Sequence, residues 1–491
     1  MNIINETKKI GLWGGILLVI SQVVGIGEFL KNLSIFGNNN NNPYGVIGSW
    51  VIGAILIICV GLTIAKLTTQ NQKEYNNEGI SKWINTIIGP RTARFTAHIM
   101  NSIFYPMITI AFCFFGAETI FLLCAPKVHI YWVILTALGI LLLFLVLNFF
   151  FENIMAKSGH IIGYIKFLPI VLCIVGAIAI TIKGNPDNLF SKDSSSAGKF
   201  TTLGMLDSLP AVLFSFNGFL IAGDMGHKMK DPDKNVGKAI VFSMLVIAGI
   251  YLTVAVTLAI VGATGGNALK VLDGVLGSDT GQKIMTALLL IVILGSTCLL
   301  TMVSYQTVKK HVKNEDMPLY AQITKINNKR ANLGDVVATA IVIMIWAVLL
   351  FVPSAILNTD SVIDVASNTV SLIVFVLCGI IITKLCYNII KDKTNSLGWK
   401  SNIIAFISAI ALIASIGYFS LWAEIAAPII NPTDPTHAGL FMSNNGFNLS
   451  VEAGIYWGCM LVLLCLPFLW DLIIKYTQKG YRKPLIWSTI K

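Results

Sequence analysis

The stretch VVGIGEFLKN, Val23 to Asn32, decides how the rest of the chain is read. It lies inside the first apolar run, where Gly25 and Gly27 interrupt what otherwise reads as one long hydrophobic helix. Glycine in a helix interior costs roughly 1 kcal/mol relative to alanine. The glutamate that follows, Glu28, is more expensive still. A lone carboxylate at the centre of a membrane helix costs on the order of 3 kcal/mol. Both penalties at neighbouring positions mark a deliberate break.

Composition identifies the solvent around that run. Hydrophobic residues make up 55% of the 491 residues and charged residues 12%, against about a quarter charged in an ordinary soluble domain. So few charges cannot shield that much apolar surface from water, and the chain reads as an all-α integral membrane protein. With about twenty apolar residues per crossing, twelve spans are expected. They fall near residues 11–36, 44–67, 95–124, 130–151, 160–183, 208–226, 238–262, 283–308, 334–353, 361–387, 401–422 and 452–475. The first run is too long for a secretory signal, and no small-residue cleavage site follows it. The nine cysteines fall almost wholly in apolar segments without CxxC or metal spacing, as small membrane-facing or core residues do. The six histidines show no pairing suited to haem or metal. No cofactor and no metal is assigned.

The net charge of +11 reports orientation. With the N-terminus inside, the inner segments carry 27 of the 35 basic residues, the outer segments seven, and span 5 holds Lys166. This is the positive-inside pattern, so both termini are expected in the cytoplasm and a nucleic-acid partner is not. The inner loops 68–94 and 309–333 are too short for a soluble catalytic domain, so no enzyme is expected. The outer GNNNNNP, residues 37–43, reads as a low-complexity polar turn.

A transporter site often appears as two interrupted spans at corresponding places in two halves of a chain. Span 1 breaks at Gly25-Ile26-Gly27, and span 6 carries FSFNGF, residues 214–219, with Asn217 and Gly218 near its middle. The offset of five spans is odd, so the two broken helices run in opposite senses. That fits inverted repeats at 1–183 and 184–400, followed by spans 11–12 and a tail at 401–491. Each break leaves N–H groups exposed at the start of one half-helix and carbonyls unpaired at the end of the other. A carboxylate suits the first pole and an ammonium the second. A zwitterionic amino acid fits both.

These residues carry a family resemblance. VVGIGEFL resembles the G-S-G-I-F signature of the amino acid–polyamine–organocation (APC) family. FSFNGFLIAGDMGHKMKDPDKNVGKAI, residues 214–240, is similar to its sixth span and following loop, and SYQTVKKHVKNEDMP, residues 304–318, to the loop after span 8. The resemblance implies a LeuT-type fold and secondary amino acid transport by alternating access. It implies that Gly25, Ile26 and Gly27 form the carboxylate-binding turn. It also implies that carbonyls near Val23, Phe214 and Asn217 meet the amine, and that Phe214 caps the occupied site. Ile26 stands where the family often has serine, and Glu28 where it usually has an aliphatic residue. A lysine at the place of Lys166 resembles that of proton-coupled members, which implies contacts with span 1 carbonyls and with the hydroxyls of Ser296 or Thr297. Proton symport is therefore expected over sodium symport, with exchange as the alternative.

Glu28 has three readings: a first-turn partner of the helix dipole, with Lys31 one turn on; a counter-charge to a cationic substrate or to Lys166; or a pore-mouth residue. If it stays ionised beside a substrate carboxylate, the two repel by about 4 kcal/mol at a separation near 4 Å and an effective dielectric near 20. Glu118 is a second acid within a span, while Asp224 and His227 read as interfacial. Other readings are a polyamine or nucleobase permease of the same fold, or a channel. A channel would call for a repeated pore motif or rings of one residue type, and the chain has neither. The expected partners are a small-molecule substrate, protons and the bilayer of the plasma membrane. Oligomeric state leaves no mark on the sequence.

Overall fold

Runs of Leu, Ile, Val and Ala placed in hydrocarbon leave each backbone group only its own helix for hydrogen bonding. The computed structural model follows this rule. It describes residues 10–25, 27–70, 79–125, 128–151, 164–184, 188–191, 197–219, 229–262, 267–277, 280–330, 332–358, 360–392, 397–418 and 449–477. The helices, in order, are α1 (Leu12–Val23), α2 (Gly27–Asn38), α3 (Pro43–Gln70), α4 (Ile80–Ile87), α5 (Pro90–Ile99), α6 (Tyr105–Cys124), α7 (Ile130–Phe150), α8 (Phe167–Lys183), α9 (Thr202–Asp207), α10 (Leu209–Ser215), α11 (Pro232–Val261), α12 (Asp273–Leu276), α13 (Thr280–Lys313), α14 (Tyr320–Lys329), α15 (Leu333–Leu357), α16 (Ser361–Lys391), α17 (Trp399–Gly417) and α18 (Leu449–Thr477). A π-helical turn at Met100–Phe104 joins α5 to α6.

Among the described residues, eight helices are long and apolar enough to cross a membrane, or nine if the bent pair α1–α2 counts as one. Among the described residues, the apolar helices at the places of spans 5 and 6 are Phe167–Lys183 and Thr202–Ser215. Residues 160–163 and 220–226 of the expected spans lie outside the described residues. The last expected span corresponds to α18. The segments 68–94 and 309–333 carry two short helices that apolar content alone did not flag. One is α4, which buries Ile80, Trp83 and Ile84 on one face; the other is α14, which buries Ile323.

The contacts gather into two bodies, each drawing segments from both halves of the sequence. The first consists of residues 1–93, 184–266 and 374–418. There α11 packs along both α3 and α1, and Ser243 of α11 donates to the Ile16 carbonyl of α1 at 3.1 Å. The asparagine run is ordered in this body, and its members have separate tasks. Asn38 donates to the Asp207 carbonyl at 3.1 Å, and Asn39 to the Ser208 hydroxyl at 2.9 Å. Asn40 and Asn41 take left-handed φ values of 51° and 57°, a region asparagine enters more readily than most residues. Asn42 accepts from the backbone N–H groups of Tyr44 and Gly45 at the start of α3.

The second body consists of residues 94–183, 267–373 and 419–491. Here α6 packs on α13 and α7, and α15 closes against α6 and α13. Its polar ties collect around the beginning of the α5–α6 span. Arg94 lies 2.5 Å from the fully buried Asp471 of α18 and 3.9 Å from Asp316. Asn101, on the π-helical turn, bonds the His311 ring, and Trp346 donates to the Ser102 carbonyl at 2.5 Å.

Removing one member of a buried ion pair strands the other, at a cost of about 3 kcal/mol or more. Asp471→Ala should therefore lower the thermal unfolding midpoint of the solubilised protein clearly. An unchanged midpoint would mean that the Arg94 pair contributes nothing to holding α18.

Candidate functional site

The break in span 1 falls where the sequence places it. α1 ends at Val23, with the Val24 N–H still reaching the Ile20 carbonyl at 2.8 Å. α2 begins at Gly27 and is bent 48° from α1. Ile26 lies outside the described residues, as do Asp224 and His227. Between the half-helices the buried Gly25 N–H donates to Glu28 Oε2 at 3.3 Å. Glu28 is fully buried. It stands in the first turn of α2, at the amino-terminal end of a half-helix, where the dipole favours negative charge.

The second break is built from turns. α10 stops at Ser215, the Asn217 N–H returns to the Phe214 carbonyl at 3.0 Å, and Gly218 adopts φ +97° with its N–H on Asn217 Oδ1 at 2.8 Å. Only glycine enters that backbone region at no steric cost. Asn217 therefore spends its side-chain oxygen on the turn itself.

The two breaks touch. A Cβ on Gly27 would lie 2.8 Å from the Ser215 Cα, and one on Gly218 would lie 3.2 Å from Gln22 Cγ. Gly27 thus lets α2 approach the end of α10, a steric role separate from the carboxylate contact that its motif implies. Over the crossing sits Tyr251 of α11, fully buried, its hydroxyl 3.0 Å from the Val23 carbonyl and 2.9 Å from the Ser215 carbonyl. The Glu28 carboxylate lies near the same hydroxyl. One phenolic hydrogen therefore faces the terminal carbonyls of both incoming half-helices and a carboxylate.

An aromatic wall backs the crossing. Trp50 lies 5.2 Å from Tyr251 and 6.1 Å from Phe216, ring centre to ring centre, and Phe216 lies 5.2 Å from Tyr251. Trp50 Nε1 donates to Asn32 Oδ1 at 3.1 Å, and Asn32 donates to the Glu28 carbonyl. On the other side the Lys31 ammonium stands 4.8 Å over the Phe214 ring, a cation–π contact in a largely desolvated place. So the structure brings together Val23, Gly25, Gly27, Glu28, Phe214, Asn217 and Gly218, and adds Tyr251, Trp50, Asn32 and Ser215, which the sequence reading passed over. Tyr251 had a signal. A phenol in the middle of a long apolar helix must find a polar partner when buried.

Lys166, Ser296 and Thr297 belong to the second body. Lys166 is buried, immediately before α8, and ranks among the largest fully buried side chains of the described residues. Ser296 Oγ donates to the Val292 carbonyl at 3.0 Å and Thr297 Oγ1 to the Ile293 carbonyl at 2.9 Å. Both hydroxyls thus fold back on their own helix and keep lone pairs to accept with.

The chain is a multi-pass helical membrane protein, and its family and relatives are those of a transporter. The chain is a member of the amino acid permease family, whose profile it matches over residues 10–457. It is similar to the serine/threonine exchanger SteT of Bacillus subtilis, 24% identical over 300 residues, covering 59% of this chain and 64% of that protein. It is also similar to the inner membrane transporter YjeM of Escherichia coli, 25% identical over 260 residues and 49% of either chain. An uncharacterised protein of Methanocaldococcus jannaschii is 26% identical over 258 residues, 51% of this chain and 55% of that one. The chain thus matches between about half and two thirds of the length of these relatives.

Two substitutions probe the crossing. Gly27→Leu should abolish uptake while leaving membrane insertion intact, because the new side chain drives α2 off Ser215. Tyr251→Phe keeps the ring packing and removes one O–H from two buried carbonyls, an exchange worth about 1–3 kcal/mol. Substrate affinity should change by tenfold or more in Tyr251→Phe vesicles. Wild-type affinity there would mean that the bridge plays no part in binding.

Proposed function

We propose that the protein is a secondary active permease that moves an amino acid across the plasma membrane by alternating access, coupled to protons. The observation that carries this reading is the crossing itself. Two half-helix ends of opposite polarity meet in one buried place, with amide donors at the start of α2 and carbonyl acceptors at Val23 and Ser215. An amino acid presents a carboxylate and an ammonium to such poles. In this proposal Gly25, Ile26 and Gly27 receive the carboxylate, and the carbonyls of Val23, Phe214 and Asn217 receive the amine. Phe214 closes the occupied site. The twelve spans form two inverted repeats, 1–183 and 184–400, followed by 401–491, with both termini cytoplasmic.

Coupling is assigned to Lys166, with Ser296 and Thr297 as hydroxyl partners. Gain or loss of a proton on that buried ammonium would change what it can hold. The serine/threonine exchanger among the relatives favours exchange as the second reading, and makes serine and threonine the first substrates to try.

Counterflow into proteoliposomes preloaded with each of the twenty amino acids tests the reading, with polyamines and nucleobases as controls. At least one amino acid should accumulate transiently. Counterflow confined to polyamines or nucleobases would transfer the site to another solute class. Lys166→Ala should lose accumulation driven by an inward proton gradient and keep exchange. If that variant still concentrates substrate when only protons drive it, Lys166 is a structural lysine.

A further inference from the structure

The Glu28 carboxylate already holds the Gly25 N–H, a backbone donor to which an amino acid's own carboxylate would be drawn, and we propose that Glu28 therefore takes up a proton each time an amino acid binds. The inference rests on the reading of the crossing as an amino acid site. It adds a proton acceptor distinct from Lys166.

Glu28 is fully buried, its Oε2 lies 3.3 Å from the Gly25 nitrogen, and it stands in the first turn of the twelve-residue α2. The start of that helix attracts one negative charge. A substrate carboxylate brought there would place two anions at one pole, and like charges at short range favour the neutral form of one of them. The balance of the step is simple. A proton from water on the side of substrate entry adds to the Glu28 carboxylate, giving a carboxylic acid. The Gly25 N–H passes to the substrate carboxylate. The new O–H has acceptors waiting, because Tyr251 has one hydrogen for the Val23 carbonyl, the Ser215 carbonyl and Glu28. When the substrate leaves, the proton returns to water and Glu28 recovers its amide.

Among the described residues of this body, the charged and titratable groups around Glu28 are few. Lys31 follows on its own helix, with its ammonium over Phe214. α11 presents Tyr251, and α10 presents Ser215 and Phe214, neither of which titrates. α3 presents Trp50, bonded to Asn32. α9 carries Asp207 beside Asn38, ten residues along α2 and so about 15 Å away, where its carboxylate receives the Tyr418 hydroxyl. Lys31 is the group that could neutralise a second anion in place of a proton, and the experiment separates the two cases.

Isothermal titration of the full chain in detergent, in buffers of different ionisation enthalpy, counts the protons taken up with each of the twenty amino acids. Wild type should take up close to one proton per bound amino acid at pH 7.5, with affinity falling about tenfold per pH unit as pH rises, the slope of a single linked proton. Glu28→Gln should take up none and bind with affinity flat between pH 6 and 8. Lys166→Ala should keep the binding-linked proton. Binding to wild type without proton uptake overturns the proposal and leaves Lys31 as the neutralising charge. Proton uptake that persists in Glu28→Gln, or vanishes only in Lys166→Ala, overturns it as well. If Glu28→Gln fails to fold, the wild-type pH series still decides, since a flat affinity rules out a linked proton. If no amino acid binds wild type at all, the amino acid reading itself falls, which is a different result from binding without a proton.

Discussion

Inside a membrane a backbone carbonyl that loses its helical partner has no water to turn to, and the cost is several kcal/mol per group. The first body is organised around that constraint. α1 and α10 both end inside the buried body, and Tyr251 of α11 offers one hydroxyl to the last carbonyl of each. For this to work the breaks must touch, so Gly27 carries no side chain against Ser215, and Gly218 turns with a positive φ against Gln22. Tyr251 must also be held at one height, which Trp50 and Phe216 do by packing on its ring. A single polar interaction thus ties α1, α10 and α11 together at one point.

The sequence made this legible in part. The glycines of span 1 and the Asn217-Gly218 pair of span 6 were legible as breaks through their matching places in the two halves, since glycines such as Gly53 and Gly139 sit inside unbroken helices. The long spans were legible from local propensity: α7 or α15 can do little else with such composition. Tyr251 was harder to see, because an aromatic residue in an apolar run reads as packing, and its hydroxyl acquires meaning only when two other helices end beside it. Glu28 was legible as an anomaly, but its side-chain direction was not. Three readings of it were open, and no letter of the sequence says that the Gly25 N–H is within reach across the turn. The division into bodies was invisible for a deeper reason. Each gathers segments that are far apart in the chain, and sequence spacing carries no record of such contacts.

The asparagine run shows how composition misleads when residues are counted instead of placed. Five identical polar residues suggest a featureless turn, yet Asn38 and Asn39 tie the end of α2 to the junction of α9 and α10. Asn42 donates to the Gly198 carbonyl, so the segment leading into α9 is tied as well. Asn39 also reaches the Ser49 hydroxyl of α3 at 3.2 Å. Each tie is worth about 1 kcal/mol, small singly and considerable as a set. Their consequence is mechanical. α2 contacts α10 at Gly27 and Ser215 near one end, and is clamped to α9, α10 and α3 at the other. Within this body, α2 and the α9–α10 pair are therefore held at both ends of α2. A rearrangement that parts the two breaks must break the asparagine ties or carry both segments together. The second costs fewer hydrogen bonds, so α2 and the α9–α10 pair are tied to move as one piece.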